Sequence, residues 1–133
     1  MAEIINGKKL SKNILAELTK KVKQLSQKPG LAVILVGNDK SSQLYVSLKE
    51  KACQEVGINF QKFLFPKKVK EKEIIAKLEE LNQDPKIHGI LVQLPLPDHL
   101  NENKIIETII TNKFYTNNTL FLPCKFTFFS LQN

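Results

Sequence analysis

The sequence contains no arginine and no tryptophan, so its 20 cationic side chains are all lysines. The formal net charge is +7, which raises the question of a nucleic-acid partner. Base recognition in DNA depends heavily on bidentate arginine contacts, and single-strand binders set aromatic side chains among their basic residues for stacking. The sequence has neither feature. We therefore predict no nucleic-acid partner and interpret the lysines as a solvated surface, although a positive field also attracts polyanionic small molecules.

Cysteine is also scarce, with Cys53 and Cys124 as the two examples. Their separation makes no metal-binding or redox motif, and so few cysteines favour a reducing compartment. No apolar run approaches the roughly 18 residues needed to span a bilayer, and the amino terminus lacks the basic and apolar regions of a secretory signal. We predict a cytoplasmic protein with no membrane partner.

Metal ligands are equally few. The two histidines, His88 and His99, have no acidic or thiol partner at ligand spacing. Because zinc sites in proteins use three or four such ligands, we expect no metal site.

Apolar residues recur along the chain with two alternating patterns. Helical spacing predicts helices over residues 8–27, 41–56, 70–82 and 101–110. Continuous apolar runs predict strands over residues 31–36, 60–65 and 90–94. Strands that alternate with helices of this length form right-handed βαβ units. The predicted fold class is therefore α/β, with a parallel sheet that carries helices on both faces.

The loops that follow the first and third strands are the candidate site, because ligands of such sheets bind beyond the carboxyl ends of the strands. These loops cover residues 37–42 and 94–100. Gly37 either allows a ligand to approach closely or merely supplies a turn. Asp39 is a natural N-cap for the helix that follows, and Gly57 is its expected end.

Tyr45 and Lys49 lie four residues apart and share one face of the second predicted helix. A lysine whose ammonium is partly buried has a lowered pKa, and it then serves as an acid or base near neutral pH. The spacing is equally compatible with a tyrosine that packs on the helix face beside a solvated lysine. The sequence leaves both interpretations open.

Gln93 is the polar residue that follows the apolar run of the third strand. A polar side chain there must find a hydrogen-bond partner or face an opening. One interpretation is a binding residue, and the other is a glutamine bonded to loop backbone. Pro95 and Pro97 stiffen the segment that follows without offering catalytic groups themselves.

Three segments, taken together, resemble one protein family. They are INGKKLS at residues 5–11, VGNDKSSQLYVSLKEKACQEVGI at 36–58 and GILVQLPLP at 89–97. Over about residues 1–113 the sequence is similar to the catalytic half of the bifunctional methylenetetrahydrofolate dehydrogenase/cyclohydrolase enzymes (FolD-type). The resemblance implies an α/β domain that holds the folate, a second, Rossmann-type domain that holds NADP, and a homodimer.

The resemblance also implies roles for individual residues. Tyr45 would stack along the folate ring system, Lys49 would be the catalytic acid/base, and Gln93 would hold Lys49 and the substrate in position. Leu94 and Pro95 would also contact the substrate. The implied reactions are NADP-dependent oxidation of 5,10-methylenetetrahydrofolate to 5,10-methenyltetrahydrofolate and hydrolysis of the latter to 10-formyltetrahydrofolate. A lysine with a tuned pKa suits proton transfer beside a tetrahedral carbon.

Residues 114–133 depart from the family pattern. The family follows its lysine with Asp-Val-Asp-Gly, whereas Lys113 is followed by Phe114 and Tyr115, so the pterin-binding aspartate is missing. The segment holds five of the eight phenylalanines and has neither an acidic residue nor a glycine. We expect residues 1–113 to form the folate-binding domain, residues 114–133 to be a frameshifted or rearranged tail, and the NADP-binding domain to be absent.

Two hypotheses about activity follow from this departure. No glycine occurs after Gly89, which excludes a G-x-G-x-x-G phosphate loop from the remaining residues. In the first hypothesis, the truncated chain keeps the folate site and cyclohydrolase chemistry but lacks the dehydrogenase step. The alternative is a non-catalytic remnant that binds folate or associates with itself.

Overall fold

The computed structural model describes residues 6–109, which form four helices and three strands. In chain order the elements are α1 (Gly7–Lys23), β1 (Gly30–Val36), α2 (Lys40–Val56), β2 (Asn59–Phe65), α3 (Glu71–Gln83), β3 (Gly89–Val92) and α4 (Glu102–Glu107). Residues 114–133 lie outside this range, so the expected division into a domain and a divergent tail stays a prediction.

Helix α2 begins and ends where its local chemistry predicts. The side chain of Asp39 accepts a hydrogen bond from the backbone N–H of Ser42 at 2.7 Å. At the other end Gly57 adopts φ +93°, a left-handed conformation that glycine reaches without a steric penalty. Both predicted ends are therefore correct to within one residue.

Helix α1 ends earlier than predicted, at Lys23 instead of residue 27. Val22 is the last α1 residue that is buried, and Leu25 remains 49% exposed. Backbone N–H groups of Gln24 and Leu25 donate to carbonyls three residues earlier, which tightens and closes the last turn. Apolar residues continue at helical spacing past residue 23, but Leu25 does not pack against the core, so the spacing does not extend the helix.

The three strands form one parallel sheet in the order β2-β1-β3. Strand β3 is shorter than predicted and ends at Val92, because its ladder with β1 stops at Ile34. Gln93 therefore lies just beyond the strand and not within it, although its backbone N–H still donates to the carbonyl of Ile34 at 2.9 Å.

Alternate residues of β1 point to opposite faces of the sheet, and both faces are covered. Val33 and Leu35 pack with Val46 of α2, whereas Ala32 and Ile34 belong to the cluster built with α3 and α4. The chain moves from β1 to β2 in one direction and then back across β1 to β3. Two right-handed crossovers in opposite directions place their helices on opposite faces. The predicted α/β class with helices on both faces is confirmed.

No helix among residues 6–109 has the length and apolar character required to cross a bilayer.

Candidate active site

The strand order reverses between β1 and β3, which is the place where open parallel sheets form a ligand crevice. Two segments lead away from the carboxyl edge at this point. One runs from β1 through Gly37 into α2, and the other leaves β3 at Gln93. The sequence-predicted residues Tyr45, Lys49 and Gln93 are carried by these two segments.

Lys49 and Gln93 meet across this crevice although 44 residues separate them. The Lys49 Nζ atom donates to Gln93 Oε1 at 3.1 Å. Lys49 is half-buried, and Gln93 is 4% exposed. Among residues 6–109 no carboxylate forms an ion pair with Lys49.

Burial lowers the pKa of Lys49 below the usual lysine value, because partial removal from water disfavours the charged form. A neutral amide oxygen, unlike a carboxylate, offers the ammonium no full compensating charge. The environment therefore favours the exchange of a proton at Nζ more than an ordinary surface site does. This is the electrostatic behaviour expected of a group that accepts and donates protons.

The side chain of Gln93 is held at both ends. Its Nε2 atom donates to the carbonyl oxygen of Leu94 at 3.2 Å, and its Oε1 atom faces Lys49. Because a carbonyl oxygen only accepts, the amide nitrogen must be the atom beside Leu94, which leaves the amide oxygen for the lysine. Of the two interpretations of Gln93 in the sequence, the hydrogen bond to loop backbone is confirmed, and its role as a binding residue stays a prediction.

Tyr45 presents its ring at the mouth of the site. The residue is 45% exposed, and Lys49 Nζ lies 5.9 Å from the ring centroid, near the outer limit for a cation–π contact. The ring is thus neither packed into the core nor separated from the amine. Leu94 is half-buried and Pro95 exposed immediately after Gln93, and the peptide bond between them is cis.

The remaining predicted positions contribute to the fold, and His88 does so at the edge of the sheet opposite the site. Gly37 adopts φ +85°, and its N–H donates to the carbonyl of Phe65, at the end of the neighbouring strand β2, at 2.9 Å. Close approach of a ligand at Gly37 stays a prediction. His88 Nδ1 accepts from the backbone N–H of Gly30 at 3.0 Å, and His99 Nε2 donates to the carbonyl of Val69 at 2.9 Å. Among residues 6–109 no group of three potential metal ligands is found; that the protein needs no metal stays a prediction.

Sequence reasoning missed the contribution of the Ile34 carbonyl to this site, whereas a bond from Gln93 to loop backbone was one of its two interpretations. The carbonyls of Ile34 and Leu94 fix the main chain and the side chain of Gln93, respectively. Backbone acceptors carry no residue-type signature, and the pairing of β1 with β3 had to be known before Ile34 could be assigned.

Comparison with known proteins gives consistent results. Residues 5–113 match the family model described as tetrahydrofolate dehydrogenase/cyclohydrolase, catalytic domain. The bifunctional protein FolD of Geobacillus thermodenitrificans is 53% identical over 115 residues, which cover 84% of this chain and 40% of that protein. The chain spans about 40% of the length of the curated relatives it matches.

Solved structures agree. The bifunctional FolD enzyme of Campylobacter jejuni has a TM-score of 0.78 at 44% identity, covering 81% of this chain and 39% of that one. The methylenetetrahydrofolate dehydrogenase-cyclohydrolase of Trypanosoma brucei, solved with NADP cofactor and an inhibitor, has a TM-score of 0.80 at 33% identity, covering 84% and 39%. The chain therefore belongs to the tetrahydrofolate dehydrogenase/cyclohydrolase family, and it contains that family's N-terminal catalytic domain.

Proposed function

We propose that this domain binds a tetrahydrofolate derivative in the crevice between α2 and the loop after β3. Lys49 transfers protons there during hydrolysis of 5,10-methenyltetrahydrofolate to 10-formyltetrahydrofolate. The observation that carries the proposal is the 3.1 Å contact between a half-buried amine, Lys49 Nζ, and a buried amide, Gln93 Oε1, beside an exposed tyrosine ring. The family that the domain belongs to supplies the substrate class.

The hydrolysis needs one group that changes its protonation state twice. Water adds to the methenyl carbon and loses a proton to neutral Lys49, which forms a tetrahedral carbon bonded to N5, N10 and oxygen. The lysine ammonium then protonates N5 as the bond from carbon to N5 breaks. The hydroxyl group on the carbon loses its proton to solvent water as the C=O bond forms, and the formyl group stays on N10. Proton transfer of this kind is efficient when the pKa of the catalytic group lies near the working pH. The lowered pKa of Lys49 favours that role.

The substrate itself lowers the pKa of Lys49 further, because the methenyl derivative carries a positive charge on its bridging carbon and nitrogens. A like charge close to an ammonium disfavours protonation. Gln93 keeps the amine in place by accepting one N–H, so a neutral Lys49 retains its lone pair for water. The exposed ring of Tyr45 stacks along the folate ring, and Leu94 and Pro95 border the substrate.

For the longer family members, the proposal also includes the oxidation of 5,10-methylenetetrahydrofolate to the methenyl form. The hydride acceptor is NADP, which is the cofactor in the Trypanosoma brucei structure. Residues 90–133 contain no glycine, and a glycine-rich phosphate loop therefore lies outside them. We propose that a polypeptide of these 133 residues performs the hydrolysis and not the oxidation.

The hydrolysis test compares two lysine variants on the same helix. Lys49→Met removes the proposed acid/base, whereas Lys51→Met removes an exposed lysine two residues later. The rate of methenyl absorbance loss, corrected for spontaneous hydrolysis, is measured for both variants and the wild type. We expect Lys49→Met to lose about 100-fold or more in kcat, in line with the contribution of general acid–base catalysis.

The variant Lys51→Met is the matched control, because it also removes one lysine from α2. It should hydrolyse the substrate as the wild type does, since Lys51 is exposed and is not part of the proposed site. If the wild type and Lys49→Met accelerate hydrolysis equally, the proposed role of Lys49 is wrong. If all three proteins hydrolyse the substrate no faster than the spontaneous reaction, the result favours the alternative function, a non-catalytic domain that binds folate or associates with itself. The exposure of Leu44 (60%) and Leu48 (53%) on the outer side of α2 is the observation that supports association.

A further inference from the structure

Lys49 differs from the other lysines of the described chain in the surroundings of its amine. Among residues 6–109, Lys49 and Lys77 are half-buried, and the remaining lysines are exposed. Lys77 Nζ lies 2.6 Å from a carboxylate oxygen of Glu80, which balances its charge. Lys49 Nζ donates to the neutral amide oxygen of Gln93 at 3.1 Å and forms no ion pair within the same residues. Lys49 is therefore the half-buried amine of residues 6–109 that has no carboxylate partner.

These surroundings increase the share of the neutral amine, which is the nucleophilic form of a lysine. Burial disfavours the ammonium and lowers the pKa of Lys49. The adjacent acidic residue on α2, Glu50, is bound by Lys62 Nζ at 3.2 Å and forms no ion pair with Lys49. Lysines that are desolvated in this way form Schiff bases with carbonyl compounds.

The amine of Lys49 is also open to a small molecule. Its outer neighbour is the ring of Tyr45, which is 45% exposed and whose centroid lies 5.9 Å from Nζ. Its inner neighbour is Gln93, which is 4% exposed and closes the core side. A small aldehyde therefore reaches Nζ from the crevice at the carboxyl edge of the sheet.

The one-carbon group of the proposed substrates is chemically related to a Schiff base of formaldehyde. In 5,10-methylenetetrahydrofolate, a carbon at the oxidation level of formaldehyde joins two amines, N5 and N10. In the proposed site, Lys49 supplies a third amine beside the same carbon. Passing such a carbon from one amine to another changes no oxidation state and therefore needs no hydride acceptor.

We propose that Lys49 also acts as a nucleophile, which captures formaldehyde as a Schiff base and transfers its carbon to tetrahydrofolate. The domain then catalyses the condensation of formaldehyde with tetrahydrofolate to 5,10-methylenetetrahydrofolate. This role rests on the proposed function, because tetrahydrofolate must bind beside Lys49. It differs from the proposed proton transfer, because the lysine becomes covalently bonded to the carbon.

Lys49 carries the carbon through a covalent intermediate and is then regenerated. Neutral Nζ adds to formaldehyde, a proton moves from nitrogen to oxygen through solvent, and the hydroxyl takes one more proton and leaves as water. N5 of tetrahydrofolate adds to the resulting iminium carbon and loses its proton to solvent. Nζ next accepts a proton, and the N5 lone pair expels it as the neutral amine. N10 then adds to the carbon and loses its proton, so that formaldehyde and tetrahydrofolate give 5,10-methylenetetrahydrofolate and water.

The first test traps the captured carbon at neutral pH with sodium cyanoborohydride, which donates a hydride to the iminium and leaves an N-methyl group on the lysine. Formaldehyde is kept limiting, and peptide mass spectrometry follows methylation of Lys49 and Lys51 in the same protein. We expect Lys49 of the folded wild type to be methylated at least about tenfold faster than Lys51. In a synthetic peptide of residues 40–56 both lysines should react at equal rates, because the difference depends on the fold.

The second test measures the condensation itself. Isotopically labelled formaldehyde is mixed with tetrahydrofolate, and carbon NMR gives the rate of methylene formation, corrected for the spontaneous reaction. The wild type is compared with Lys49→Met and with Lys51→Met, which replaces an exposed lysine of the same helix. Circular dichroism verifies that all three proteins are folded. We expect the wild type and Lys51→Met to accelerate the condensation at least about tenfold more than Lys49→Met does.

Two results would overturn the proposal. Methylation of Lys49 and Lys51 at equal rates in the folded wild type would exclude the capture step. Equal condensation rates for the wild type and Lys49→Met would exclude the transfer step, even if Lys49 is trapped.

Hydrolysis of 5,10-methenyltetrahydrofolate separates these failures from a failure of the proposed function. A wild type that hydrolyses this substrate but fails either test loses the formaldehyde reaction alone. A wild type that passes both tests without hydrolysing the substrate keeps the formaldehyde reaction and loses the proposed hydrolysis.

Discussion

Lys49 keeps its amine half-buried, so its protonation is linked to the stability of the fold. Burial lowers the pKa of Lys49 in the folded chain, whereas the unfolded chain exposes the amine to water. Between the folded and the unfolded pKa, the unfolded state binds more protons, and the free energy of unfolding therefore rises with pH. The cost of the buried charge is fully present below the folded pKa and is gone above the unfolded one.

We therefore expect the wild type to gain free energy of unfolding relative to Lys49→Met as the pH rises from neutral toward the ordinary pKa of lysine. Urea unfolding at a series of pH values measures this difference. Lys51→Met is the control, because it removes the same kind of side chain from an exposed position of α2. A pH-independent difference for Lys49→Met would contradict the linkage.

At the scale of the element, helix α2 is the part of the fold that positions the site. Its N-cap, Asp39, accepts a hydrogen bond from the backbone N–H of Ser42. Hydrogen bonds from the backbone and the side chain of Ser42 lower the pKa of Asp39. The same helix carries Tyr45 and Lys49 in its second and third turns. Loss of the cap should therefore loosen the start of the helix and destabilise the fold.

We expect Asp39→Ala to lower the free energy of unfolding at neutral pH, because the helix loses its N-cap hydrogen bond. A depressed carboxyl pKa contributes stability above the unfolded pKa and loses it as the pH falls through the folded pKa. The difference between the variant and the wild type should consequently diminish in acid. Urea denaturation of Asp39→Ala beside Asp98→Ala, an exposed aspartate on the same edge, measures the effect. Equal stabilities of the two variants at neutral pH would exclude a capping contribution.

At the scale of the whole molecule, the parallel sheet brings three connecting segments to one edge. They follow β1, β2 and β3, and they contain Gly37, residues 66–70 and Gln93, respectively. The matched family members extend beyond the part of their sequence that this chain covers. Under the proposed function, the hydrolysis and the oxidation are tested separately on this chain.

A polypeptide of these 133 residues should hydrolyse 5,10-methenyltetrahydrofolate but should not form NADPH from 5,10-methylenetetrahydrofolate and NADP. The physical reason is that residues 90–133 offer no glycine for a phosphate loop. One preparation is assayed for both reactions, with the full-length Geobacillus thermodenitrificans relative as the positive control. NADPH formation by the 133-residue chain above the background of the assay would show that this expectation is wrong.

The helices and strands were predictable to the extent that their ends depend on local chemistry. Asp39 and Gly57 mark the two ends of α2 through a side-chain cap and a left-handed backbone, and both signals are present in the residues themselves. The ends of α1 and β3 were misjudged because they depend on where tertiary contacts stop. Val22 is the last residue of α1 that reaches the core, and Ile34 is the last partner of β3.

By itself, the sequence determined the α/β class, the membership of the family through its three motifs, and the candidate residues Tyr45, Lys49 and Gln93. Those features depend on residue type and spacing, which are properties of the chain before it folds. Tertiary structure alone decided that Lys49 is half-buried while Lys51 is exposed, and that Lys49 Nζ lies 3.1 Å from Gln93 Oε1. Burial and contact between residues 44 positions apart arise from the packing of α2 against the sheet and the pairing of β1 with β3, and no local pattern encodes either.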